Sequence, residues 1–148
     1  MSRALRGQDG SAIVEFVWLG LLLLVPLLYV VLAVFEAQRT AYAASTAARS
    51  AGRAFVGAPS VASGYERAQV AARLAFRDQG LVLDDDGLRI TCVPDPDRCL
   101  TPGSLVVAEV RASARLPLVP DFLGGVPRVI PVTAEHRSPY GEFRQERR

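Results

Sequence analysis

Lysine is absent from the 148-residue chain, and histidine, cysteine and tryptophan are scarce. All 17 basic residues are therefore arginines, against 15 acidic residues, which leaves a formal net charge of +2. The arginines form no stripe interleaved with aromatic residues, so the sequence gives little support to nucleic-acid binding. It also contains no serine elbow, P-loop or dinucleotide fingerprint. These absences favour a structural or assembly protein that has no catalytic residues, cofactor or small-molecule substrate.

The hydrophobic half of the composition is unevenly spread, with its largest block between Ile13 and Phe35. Residues 16–35 carry no charge and would rise about 30 Å as a helix, enough to cross the hydrocarbon core of a bilayer. Pro26 would break a soluble helix, but a membrane helix tolerates it as a kink. We therefore expect a transmembrane span at about residues 14–35. The alternative is a buried core helix, which rarely has so long an apolar run.

A short basic leader, residues 1–10, precedes the span and carries Arg3 and Arg6. The positive-inside rule then predicts a cytoplasmic N-terminus, with the chain from about Glu36 onward outside the cytoplasmic membrane, although arginines beyond the span weaken the asymmetry. A small-x-small pattern ending at Ala43 allows a competing interpretation, a secreted protein cut after that residue. The apolar run exceeds the usual length of a signal-peptide core, which argues against this competitor.

The segment after the span is rich in alanine, the best helix former, and contains no proline. One long helix over residues 11–56 is therefore expected. Small residues recur along it with alternating spacings of four and three, and such a seam lets a neighbouring helix approach closely. The seam consists of Ala37, Ala41, Ala44, Ala48 and Ala51, followed by Phe55. It would pack either on the protein's own domain or on another subunit, and the spacing does not separate the two.

A stretch rich in glycine, proline and serine at residues 57–64 predicts a linker. A second helix is expected from Tyr65 to Gln79, with Gly80 as its C-terminal stop. The three aspartates and the glycine of residues 84–87 predict a plain turn, because their order departs from that of an EF-hand calcium loop.

Apolar alternation predicts three strands, at residues 88–93, 104–118 and 128–137. Together with the helices, they predict an α+β fold. In this prediction a long N-terminal transmembrane helix extends into a small extracytoplasmic domain, residues 65–140, with one further helix and a short antiparallel sheet. A polar tail, residues 141–148, follows the domain, and the chain beyond Ser138 is expected to be frayed.

Cys92 and Cys99 flank a turn-prone loop between two predicted strands. Their even number and the expected oxidising location favour a structural disulfide. Closing this eight-residue loop would stabilise the fold by about 2.5 kcal/mol on the chain-entropy model. A pair of buried thiols is the alternative. A redox pair is not expected, because it would more usually read C-x-x-C. No metal is expected, because these cysteines and His136 do not form a spaced cluster.

The N-terminal edge of the apolar run contains a charge, which a membrane helix accommodates only at a cost. Gly10, Ser11, Glu15 and Phe16 fall in the pattern G-x-x-x-x-E-[YF], directly after the basic leader. This arrangement resembles the class III signal of type IV pilins and pseudopilins. The resemblance implies that a prepilin peptidase cuts after Gly10 and that the helix is retained. Glu15 could then pair with the new Ser11 amine of a neighbouring subunit, which would lower the burial cost of both charges and specify register.

Within that group the chain is similar to the TadE-like family, pseudopilins or minor pilins of the tight-adherence (Flp) pilus system. The similarity is strongest from Gly10 to Phe55 and includes the run AARSAGR at residues 47–53. The C-terminal half matches in outline, as a small β-rich domain that often carries a cysteine pair. Phe16 stands where tyrosine is common in the group, so the ring is kept and the hydroxyl is lost.

The resemblance implies a non-enzymatic component of a thin adhesive or DNA-uptake pilus. Its expected partners are the membrane, a prepilin peptidase, other pilins or pseudopilins, and the secretion ATPase and platform protein of the pilus. Two other functions stay open. An uncleaved single-pass envelope protein with a partner-binding domain would not depend on Glu15, and a secreted protein cut after Ala43 would be free of the membrane.

Overall fold

A computed structural model describes residues 9–116 and 129–146 of the chain, with side chains from residue 13 onward. Its elements are helices α1 (Asp9–Val56) and α2 (Val61–Asp78) and strands β1 (Leu88–Val93), β2 (Leu105–Arg115) and β3 (Val129–Pro139). The chain divides into two compact units, Met1–Phe35 and Glu36–Arg148. The predicted α+β class, with a long apolar N-terminal helix, a second helix and an antiparallel sheet, is confirmed.

In the first unit, α1 is apolar on every side. Between Ile13 and Phe35 all side chains are exposed except those of Tyr29 and Ala33, which are half-buried. Pro26 lies inside the helix without ending it, although it removes one backbone donor. By length and composition α1 could cross a membrane.

In the second unit, the three strands form an antiparallel sheet in the order β1-β2-β3. The register places Cys92 opposite Val106, and Val110 opposite Ala134. These four side chains share one face of the sheet, since strand residues alternate between faces. That face contributes to a common core with α2 and the C-terminal part of α1.

The core of the second unit is built mainly from small side chains. Alanines from both helices are fully buried, with a few large residues filling the space between them. The largest of these buried side chains are Tyr140, Phe55, Phe76 and Leu100. Small helix residues let the backbones approach closely, and the close approach is visible at Gly64. A Cβ added there would lie 3.0 Å from the nearest Phe55 ring atom.

Helix α2 begins at Val61, four residues before the predicted start at Tyr65. Ser60 is its N-cap, and the Ser63 side chain accepts from the Ser60 backbone N–H at 3.2 Å, which completes a capping box. Ser63 and Gly64 therefore belong to the helix and not to a linker. The C-terminal stop lies at Gly80 as expected. Its φ is +66°, and its N–H donates to the Arg77 carbonyl in a Schellman-type ending.

The strands follow the prediction with differences at their ends. Strand β1 has the predicted limits, whereas β2 ends at Arg115 and the predicted end at Leu118 lies outside the described residues. Strand β3 continues to Pro139, beyond the predicted end at Arg137. The predicted start at Arg128 also lies outside the described residues.

The chain after β3 is not simply a frayed polar tail as expected. Tyr140 is buried, and its hydroxyl donates to the Gln145 carbonyl at 2.6 Å. Arg144 donates to the Val56 carbonyl at 3.1 Å. These contacts fold residues 140–145 against the domain.

Candidate functional site

The predicted processing site lies at the beginning of α1. Gly10 and Ser11 have helical backbone, while the Ser11 side chain and residues 1–8 of the leader lie outside the described part of the chain. Because Ser11 and Glu15 are four residues apart, they share one face of the helix. The processing and assembly roles of these residues stay predictions.

The side chains of Glu15 and Phe16 are both exposed, and Phe16 shows 76% of its surface. Within the described residues, Glu15 makes no ion pair. Exposed large apolar side chains follow it for five helical turns. Among the residues of the first unit whose side chains are described, Glu15 is thus the one unpaired carboxylate, and it lies at the edge of an apolar surface.

The alanine seam of α1 is largely covered by the second unit's own core. Ala44, Ala48 and Ala51 are fully buried, Ala37 is half-buried and Ala41 is exposed. The buried face also includes Thr40, Ala43 and Ala47, which the predicted seam leaves out. A pattern of alanines alone missed Thr40, whose hydroxyl donates back to the Glu36 carbonyl at 3.0 Å and so needs no other partner.

The last turns of α1 lie directly on strand β3. A Cβ added at Gly52 would lie 2.5 Å from Ser138 Oγ, so only glycine fits this contact without a shift. Ser138 itself is buried, and its Oγ has no hydrogen-bond partner among the described residues. This close contact joins two residues that are far apart in sequence, and nothing local predicts it.

The predicted disulfide between Cys92 and Cys99 is confirmed. The two Cα atoms lie 5.1 Å apart, and both cysteines are buried. Ser104 supports the loop by donating to the Cys99 carbonyl at 2.6 Å. The bond ties the end of β1 to the segment that leads into β2, so its role is structural.

The outer face of the sheet carries a row of charged side chains. Glu109 of β2 lies opposite both Arg89 of β1 and Glu135 of β3. Arg111 donates to Glu109 at 2.7 Å, and Arg137 donates to Glu135 at 2.8 Å. These pairs offset the repulsion between the two facing glutamates. Being exposed, they contribute little to stability.

The described residues contain no group of three or more histidine, cysteine, aspartate or glutamate side chains that could hold a metal ion. The aspartates of residues 84–86 lie in a turn closed by a hydrogen bond from the Gly87 N–H to the Asp84 carbonyl. Asp85 pairs there with Arg73 at 2.8 Å. The hydrogen bond and the ion pair thus account for this aspartate-rich segment as a structural turn.

No protein-family model, curated protein or solved structure matches the chain.

Proposed function

We propose that the chain is a TadE-like pseudopilin, a structural component of a tight-adherence (Flp) type IV pilus that a prepilin peptidase cuts after Gly10. One observation carries the proposal. The pattern G-x-x-x-x-E-F opens a helix whose next residues, 16–35, are uncharged and expose their apolar side chains almost without exception. A helix of this kind is suited to remain in the membrane after the leader is removed.

The proposed topology places the N-terminus in the cytoplasm, the span at about residues 14–35 in the cytoplasmic membrane, and the second unit outside. The arginines of the leader support this orientation. The Cys92–Cys99 disulfide is consistent with an oxidising compartment outside the cytoplasm.

The assembly step in this proposal is charge pairing between subunits. Cleavage after Gly10 frees the α-amine of Ser11, and Glu15 is an exposed carboxylate on the same face of α1. In the assembled helices, the carboxylate of one subunit would accept from the amine of its neighbour. A subunit out of register would leave both charges unpaired in an apolar environment, so the pair would select one register.

The second unit restricts which surfaces can join subunits. The seam around Ala44, Ala48 and Ala51 is buried within its own chain, so it is not free to contact another copy. Inter-subunit helix packing is therefore assigned to the exposed apolar residues between Ile13 and Phe35. The partners in this proposal are other pilins or pseudopilins and the pilus secretion platform.

The packing of α1 argues against the alternative of a secreted protein that is cut after Ala43. Ala43 and Thr40 are both buried in the core, so a product starting at Ala44 would lose two side chains of the core-facing helix. The other alternative, an uncleaved membrane-anchored protein, would keep the same core. It differs from the proposal in two respects: its leader would not be removed, and its function would not depend on Glu15.

The Glu15→Gln variant tests the assembly step, because it removes the charge with little change in shape. Expressed in the producing bacterium, this variant should insert and be cut, yet be absent from pili sheared off the cells. Glu36→Gln is the matched control, since Glu36 is a glutamate of the same helix whose ion pair with Arg39 is solvent-exposed. It should assemble as the parent does. Normal recovery of Glu15→Gln in sheared pili would overturn the pairing step.

A further inference from the structure

A cationic pocket of about 330 Å³ lies between the last turn of α1 and the end of β3. Its lining contains Arg53 from α1, His136, Arg137 and Ser138 from β3, and Arg144 from the segment after β3. No carboxylate is among its lining residues. The pocket lies wholly within the second unit and shares no residue with the pilin-like motif.

Two of its three arginines, Arg53 and Arg144, have no carboxylate partner in the part of the chain that the structure describes. Arg53 is exposed and makes no ion pair, whereas the Arg137 charge is shared with Glu135 at 2.8 Å. Arg144 donates through Nη1 to the Val56 carbonyl, and its guanidinium lies 5.4 Å from the Tyr140 ring centroid. These contacts hold Arg144 in place and leave its other N–H groups available, since guanidinium carries five donors.

The carbonyl end of a helix by itself disfavours an anion. Here Arg144 engages the Val56 carbonyl and Arg53 adds a second full charge, and together they outweigh the partial negative charge of the helix end. Ser138 also lines the pocket, but its Oγ is fully buried against Gly52, so the arginines are the groups that an anion would meet.

We propose that this pocket binds a phosphate group in its dianionic form, either free phosphate or a phosphate monoester. Two unpaired guanidinium groups match a doubly charged oxyanion better than a singly charged carboxylate. The planar fork of arginine also suits the oxygens of phosphate, with which it forms paired charge-assisted hydrogen bonds. The inference goes beyond the proposed role in a pilus and does not depend on it.

The test uses the full chain in a non-ionic maltoside detergent, titrated with inorganic phosphate by calorimetry at fixed ionic strength. Saturable binding is expected, and Arg53→Gln should weaken it about tenfold through the loss of charge-assisted hydrogen bonds. Arg77→Gln is the matched control. It makes the same charge change in the last turn of the other helix and lies outside the pocket.

A second titration with dihexanoyl phosphatidic acid, kept below its micelle concentration, distinguishes the source of the group. Binding of inorganic phosphate identifies a small soluble ligand. Binding of the phosphatidic acid alone, lost in Arg53→Gln, identifies a lipid headgroup of the same chemistry. The proposal is overturned if neither titrant binds saturably, or if Arg53→Gln and Arg77→Gln weaken binding equally, since that result reports only net charge.

Discussion

Substitution of Gly52 tests the contact between α1 and β3 most sharply. A Cβ at this position would lie 2.5 Å from Ser138 Oγ, closer than nonbonded atoms can remain. The next nearest atoms are Ser138 Cβ at 3.4 Å and His136 Cδ2 at 3.6 Å, which are at ordinary contact distance. The clash therefore comes from a single oxygen atom, and Ser138→Ala should relieve it.

The expected magnitudes follow from three effects. Alanine gains about 1 kcal/mol over glycine within a helix, whereas overpacking costs about 2 kcal/mol, so Gly52→Ala should lower the free energy of unfolding by about 1 kcal/mol. Ser138→Ala removes a buried hydroxyl without a partner and should raise it by about 1 kcal/mol. The double variant keeps both gains without the clash, so it should exceed the parent by about 2 kcal/mol and reveal a coupling energy of similar size.

Thermal unfolding of the full chain in maltoside, followed by near-ultraviolet circular dichroism, measures these differences. The midpoint should shift by about 4 °C per kcal/mol for a unit of this size. Ser113→Ala is the control, because Ser113 is exposed on β2 and its loss should be nearly neutral. Strictly additive effects of Gly52→Ala and Ser138→Ala would show that the helix and strand do not meet as described.

Two further predictions concern the same unit. Replacing both Cys92 and Cys99 by serine should lower the free energy of unfolding by about 2.5 kcal/mol, and an unchanged melting midpoint would contradict a stabilising role for the disulfide. Gly80→Ala should cost about 1 kcal/mol, since its φ of +66° disfavours a side chain. Gly141→Ala is the matched control, having no positive φ and only one neighbouring side-chain atom, at 3.9 Å; equal melting points for the two variants would refute the backbone argument.

The elements that local sequence determines were the ones that could be predicted. The apolar run of α1 depends only on composition and length, and β1 on alternation between turn residues. The C-terminal end of α2 follows from one glycine at position 80. The pairing of Cys92 with Cys99 was also accessible, because the two cysteines flank one short loop.

Local sequence does not predict the features that depend on tertiary contacts. The glycine- and serine-rich composition assigns Ser63 and Gly64 to a linker, whereas the first completes a capping box and the second is the small residue on which Phe55 packs. The spacing of the alanines places Ala41 on the seam, but Ala41 is exposed and the neighbouring positions Thr40 and Ala43 are buried. Helical spacing defines candidate faces, and the rest of the fold decides which of them is buried.

The cationic pocket could not have been found from the sequence. Arg53 and Arg144 are 91 positions apart in the numbering, and neither stands in a recognisable motif. The pocket forms because β3 continues to Pro139 and the following segment turns back toward Val56. The sequence pattern instead predicted a frayed tail there, since polar residues near a chain end carry no signal of where they dock.

The central claim is that the chain is processed as a pilin. Its most direct test is the intact mass and N-terminal sequence of the protein isolated from the membrane fraction of the producing bacterium. We predict a chain that starts at Ser11 and retains the apolar helix. A membrane-bound chain that starts at Met1 or Ser2, or a soluble product that starts at Ala44, would contradict the claim.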